Sequence, residues 1–135
     1  MSKLLSGSAL MLALLASACG TNTDAATAAA RAWLVLVDDE KYDESWNAAA
    51  TTFKTAVTKA EWRNSVSRVR RPLGKVSSRQ LESAAFKTSL PGAPDGKYVV
   101  TQFSTTFEHK AAAIETVTPM QEADGTWKIS GYFVN

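Results

Sequence analysis

Lys97 to Phe107 reads Lys-Tyr-Val-Val-Thr-Gln-Phe-Ser-Thr-Thr-Phe, and its period of two constrains the fold more than any other stretch. Val99, Thr101, Phe103, Thr105 and Phe107 form one largely apolar row, while the alternate positions are mostly polar. Successive side chains of a strand point to opposite faces, so this segment predicts a strand with one face on a core. Runs with helical spacing precede it and alternating runs follow it, which predicts an α+β domain.

The first residues carry a different pattern. Lys3 supplies a positive charge, Leu4 to Leu15 is mostly apolar, and Ala16-Ser17-Ala18 presents small residues before Cys19. That order predicts an export signal over residues 1–18. The apolar run falls short of the roughly 20 residues a spanning helix takes. Leu15-Ala16-Ser17-Ala18-Cys19 resembles the lipobox of bacterial lipoproteins, in which the cysteine becomes the lipidated first residue. The resemblance implies a membrane partner through Cys19 and a tether over residues 19–24. Gly20 stands where an Asp would resemble an inner-membrane retention signal, so in a Gram-negative host the expected location is the outer membrane, facing the periplasm. Cys19 is the chain's single cysteine, so no disulfide forms within it, and residues 25–135 must fold by core burial alone. A hydrophobic content of 45% suits that, and a net charge of +2 is too small to suggest a nucleic-acid partner.

Ala30, Trp33, Leu34 and Val37 predict a first helix from Asp24, which would cap it. Asp38-Asp39-Glu40 oppose the C-terminal dipole and suit the first turn of a following helix instead. Tyr42, Trp46, Ala49, Phe53 and Val57 give that second helix, or a pair of short ones broken near Thr51-Thr52. Thr58-Lys59-Ala60-Glu61 is a capping box that starts a third, with Trp62, Val66 and Val69 on one side and Pro72 beyond its end. Lys75 to Leu90 is extended but irregular, which predicts a strand with a bulge or bend. Pro91 to Gly96 turns it into the central strand, and two further strands follow through His109-Lys110 and Asp124-Gly125. Two-residue loops at both places would gather Val99, Phe103, Phe107, Ile114, Met120, Trp127, Ile129 and Phe133 on one face. The expected architecture is three N-terminal helices on a curved four-stranded antiparallel meander.

Ala32-Trp33-Leu34, Tyr42 to Trp46, Phe53, Trp62, Arg71 to Gly74, Ser89 to Gly96, Tyr98 to Val100, Lys110 to Ala112, Glu115 to Val117 and Gly131 to Phe133 carry a further likeness. From about Ala29 to the C-terminus the chain resembles the bacterial family called domain of unknown function 4019. The element order resembles the cone-shaped fold of nuclear transport factor 2-like proteins. The family has no established activity, and the cone fold hosts isomerases, dehydratases and non-enzymatic binding modules alike.

Chemistry is sparse. His109 falls in a turn without an enclosing pocket, no Gly-x-Ser-x-Gly elbow occurs, and no metal-ligand spacing is present, so no catalytic residue, cofactor or metal is assigned. Arg63, Arg68, Arg70, Arg71, Lys75 and Arg79 read as a solvated basic face, partly paired with the acids of 38–44; the functional alternative is contact with anionic headgroups or polyanionic envelope material. Trp33, Trp62, Phe103, Thr116 and Trp127 would edge a small apolar pocket if the sheet curls over the helices. Tyr98, Val100, Val117 and Tyr132 would form an apolar strip on the outer sheet face, a surface for a second copy or an envelope protein. The leading expectation is a lipid-anchored, non-catalytic domain binding a small apolar ligand or a protein. The alternative is a small cone-fold enzyme of the isomerase, dehydratase or hydrolase type.

Overall fold

The computed structural model describes residues 21–135; the export signal, Cys19 and Gly20 lie outside them. Helix α1 spans Thr21–Asp38, so the chain is already helical where a tether to residue 24 was expected, and Asp24 sits in the first turn rather than before it. Ala26, Ala30, Trp33, Leu34 and Val37 form its buried stripe. Helices α2 (Tyr42–Asn47), α3 (Thr51–Ala56) and α4 (Lys59–Arg70) follow, then a 3-10 turn over Arg71–Leu73. The middle helix of the expected three is therefore two short ones, separated at Ala48–Ala50, where Ala50 N–H instead donates to Ile129 C=O at 2.8 Å. The capping box of α4 forms as read, with Thr58 Oγ1 accepting from Glu61 N–H and the Glu61 carboxylate accepting from Thr58 N–H. No helix of the described residues is long and apolar enough to cross a membrane.

The turn after α1 holds a strained residue. Glu40 N–H donates to Val37 C=O and Lys41 N–H to Leu36 C=O, closing the helix with Glu40 at φ 60°, where glycine is usual. Among the described residues its carboxylate pairs with the exposed Arg71, at 3.3 Å, and such contacts contribute little. Glu40→Gly should therefore raise stability by about 1 kcal/mol in urea denaturation. A loss would show that the Arg71 contact outweighs the strain.

Strands β1 (Val76–Lys87), β2 (Tyr98–Phe107), β3 (Lys110–Gln121) and β4 (Trp127–Val134) form one antiparallel sheet in the order β1-β2-β3-β4. β1 carries two register breaks, at Ser77 and Glu82, which supply the expected bend. β2 is as read: Val99, Thr101, Phe103, Thr105 and Phe107 are all buried against the helices. Trp33, Leu34, Trp62, Val66, Phe103, Val117 and Ile129 share the main core. Trp33 and Trp62 direct their indole N–H groups to Ser45, to its C=O and its Oγ, both at 2.9 Å, which ties α1 and α4 through α2.

Neither hairpin takes the loop expected: the first is two residues long but one position earlier, the second is longer, and side chains beyond each lie on other faces than expected. The first turn is Glu108-His109, held by main-chain bonds to Lys75 and Leu73 C=O groups, and a break between Thr105 and Phe107 sets Ala113 opposite Thr105. That is one residue away from the pairing of Thr105 with Ile114. Consequently Ile114 and Thr116 face outward, while Ala113, Glu115 and Val117 face the helices. The second loop is Ala123-Asp124-Gly125, with Gly125 at φ 89° supplying the left-handed residue of a three-residue hairpin. Trp127 stays on the helix side, but a break beside Ser130 exchanges the next pair: Tyr132 turns inward and Phe133 outward. Pro119 sits at that break, where a missing N–H costs least. Gly74, at φ 79°, precedes β1 so closely to Glu108 that a Cβ would lie 2.6 Å from its Oε1.

Candidate functional site

Glu115 lies on the inner face of β3 with no solvent exposure. A carboxylate there is costly unless cations and donors meet it. Arg79 on β1 does so: its Nε donates to Glu115 Oε1 at 2.7 Å and its Nη2 to Oε2 at 3.3 Å. Thr105 Oγ1 donates to Oε1 at 2.6 Å, and the Tyr132 hydroxyl donates to Oε2. The far edge of the same guanidinium clasps Asp38 at the end of α1, Nη1 to Oδ2 at 2.7 Å and Nη2 to Oδ1 at 2.9 Å. Arg70, at the end of α4, adds a bond from Nη2 to Asp38 Oδ1 at 2.9 Å. Its Nη1 lies 3.4 Å from the Tyr132 hydroxyl, and its guanidinium sits 4.9 Å from the Phe107 ring centroid. Arg70 is buried rather than on the expected solvated face, and its Nε has no hydrogen-bond partner among the described residues.

The two carboxylates and two guanidiniums balance, and they answer the dipole conflict at the end of α1 by placing cations on Asp38. Burial opposes ionisation of Asp38, yet the hydrogen bonds and charges of Arg79 and then Arg70 prevail and hold its carboxyl below 3.8. Burial, and then the Glu115 charge, push the Tyr132 hydroxyl well above its ordinary range, so it stays a donor. Every oxygen of both carboxylates already accepts a hydrogen bond. A general base needs an open lone pair within reach of a substrate proton; buried Glu115 has none, since each of its oxygens accepts two hydrogen bonds, and partly exposed Asp38 is held by both guanidiniums. A cleft of about 170 Å³ reaches Asp38 and Arg70 from the side of Tyr42 and Lys75. The network ties α1, α4, β1, β3 and β4 together.

Two of the remaining basic residues pair as read, Arg63 with Asp43 at 2.7 Å and Arg71 with Glu40 at 3.3 Å, both exposed, whereas Arg68 and Lys75 are in no ion pair among the described residues. His109 is exposed in its turn. Among the described residues no cluster of His, Cys, Asp and Glu is placed to hold a metal ion.

The expected apolar pocket is not assembled. Trp33, Trp62 and Phe103 are core, and Thr116 is on the opposite sheet face, because β3 takes the other register. Trp127 lines a groove of about 400 Å³ beside Trp33 and Ala32. The expected outer strip is not assembled either. Val117 is buried under the helices, Tyr132 joins the ion network, and Tyr98 is covered, packing with Ala50, Met120 and Leu90. Val100 remains half-buried.

Another apolar surface takes its place. Phe133 is 67% exposed, the most exposed of the large hydrophobic side chains among the described residues. On one side of it lies a recess of about 450 Å³ walled by Phe53, Ala56 and the Leu90–Pro94 turn. On the other lies one of about 210 Å³ between α4 and β4, walled by Trp62, Val66, Val69 and Val134. The outward turn of Phe133 depends on the break beside Ser130, for which regular alternation gives no signal.

Residues 29–132, most of the chain, match the family described as protein of unknown function DUF4019. The chain belongs to that family. A search of the curated proteins found no match.

Proposed function

We propose that this protein is a non-catalytic binding module whose contact surface centres on Phe133, exported and held by lipid on Cys19 at the periplasmic face of the outer membrane. The exposed phenyl ring between two apolar recesses carries the reading, since such patches mark interaction sites. The closed ion network supports binding over acid–base catalysis, because its carboxylates are engaged in holding the fold. The anchor rests on the signal-like residues 1–18 and the lipobox-like stretch ending at Cys19. The helices-first order and bulged meander are consistent with the cone-shaped nuclear transport factor 2-like architecture.

Titration with the apolar dye 8-anilinonaphthalene-1-sulfonate tests the surface. The folded domain should bind it, and Phe133→Ser should weaken binding about tenfold, the loss of a largely buried aromatic contact, without unfolding the domain. Equal dye binding by the variant would overturn the assignment. Mass spectrometry of the mature protein tests the anchor: an acylated Cys19 is expected, and an unmodified one would exclude it.

A further inference from the structure

β4 is an edge strand, and its open side faces α4 across the smaller recess. Ile114 and Asn135 exchange both main-chain hydrogen bonds, at 3.0 and 2.9 Å. Pairs alternate along an antiparallel ladder, so Phe133 also bonds to β3 while Tyr132 and Val134 turn their N–H and C=O groups to the open side. Exposed edges are ordinarily guarded by charge, proline or bulges. The opposite edge, β1, is guarded in that way by Glu82, Lys87 and two register breaks. Gly131-Tyr132-Phe133-Val134 carries neither charge nor proline.

We infer that this edge accepts an extended peptide segment as a fifth strand, seated between β4 and α4, with an acidic side chain of the segment against Arg68. The inference rests on the binding reading above and names the class of partner. Charge selects it. No acidic residue lines the recess, and Arg68, one turn along α4 from the lining residue Ser65, is exposed and in no ion pair among the described residues. The other arginines of this region, Arg63, Arg70 and Arg71, are each paired. A second copy fits less well, because a two-fold contact sets this same basic lip against itself. An added strand gains main-chain hydrogen bonds from Tyr132 and Val134, and its alternate apolar side chains enter the space beside Val69 and Trp62.

The probe is the synthetic peptide acetyl-Asp-Thr-Val-Thr-Val-Thr-amide, followed by amide hydrogen exchange and by titration. Saturating peptide should slow exchange of the Tyr132 and Val134 amides about tenfold or more, the protection expected of ladder hydrogen bonds. N-methylation of the peptide amides on one alternating set should weaken binding about tenfold, and methylation of the other set should not. Arg68→Glu should weaken this peptide and favour its Asp→Lys counterpart. Unchanged exchange at Tyr132 and Val134, or equal affinity for both methylated peptides, would overturn the inference. If the dye still binds at Phe133 in that case, only the peptide inference fails; if neither probe binds, the binding reading fails with it.

Discussion

Arg79→Ala is expected to cost about 3–5 kcal/mol in urea denaturation, because removing one partner of a buried ion pair leaves charge uncompensated. Glu115 would keep only its two hydroxyl donors in a site closed to water, and Asp38 would keep only Arg70. Arg79→Lys should recover part of the loss, since it restores the charge but not the fork that spans both carboxylates. The pH dependence follows from the same contacts. A carboxyl held below its unfolded value, as Asp38 is, stabilises the fold above that value, and the contribution is lost as pH falls below about 3.8. Arg79→Ala removes the stronger of the two cations on Asp38, so acid should harm the variant less than the intact protein. The gap between them should stay constant from about pH 7 to about pH 4 and narrow only as pH is lowered further, below about 3.8. A loss under about 1 kcal/mol at neutral pH would mean that the network does not hold the elements together.

The second large effect discriminates the two readings of β3. Phe103 is fully buried, with the Arg31 guanidinium 5.2 Å from its ring centroid, and Phe103→Ala should cost about 3–5 kcal/mol in thermal or urea unfolding. Ile114 is 37% exposed on the outer face, so Ile114→Ala should cost no more than about 1 kcal/mol. Had the apolar pattern alone set the register, Ile114 would stand beside Phe103 in the core, and its truncation would cost about 2–5 kcal/mol. A loss of that size for Ile114→Ala would restore the pairing of Thr105 with Ile114.

These pairs show what the chain makes legible. The order of elements, the capping box at Thr58, the bend of β1 and the inner row of β2 follow from local rules, because each depends on residues within a few positions of one another. The face of β3 does not. A pattern weighing each side chain alone puts Ile114 inside and Glu115 outside. The fold does the reverse, because Arg79 lies 36 positions away in the chain yet meets Glu115 on the inner face. The absence of acids from the Arg63–Arg79 segment was legible, and so was its pairing with the acids of 38–44. The burial of Arg70 and Arg79 was not, since it needs the register of strands that come later. The Phe133 surface was hidden for a related reason: Ser130, the one extra residue of β4 against β3, exchanges Tyr132 and Phe133 between faces, and alternation across β4 passes over it.

The most direct test of where this domain makes contact is nuclear magnetic resonance mapping of the apolar dye on the folded chain. Shifts are predicted to cluster at Phe133, Val69 and the Leu90–Pro94 turn, with Asp38, Arg79 and Glu115 unmoved. Shifts centred instead on Asp38, Arg70 and Glu115 would contradict the account, placing the working site in the ion network and reopening acid–base chemistry there.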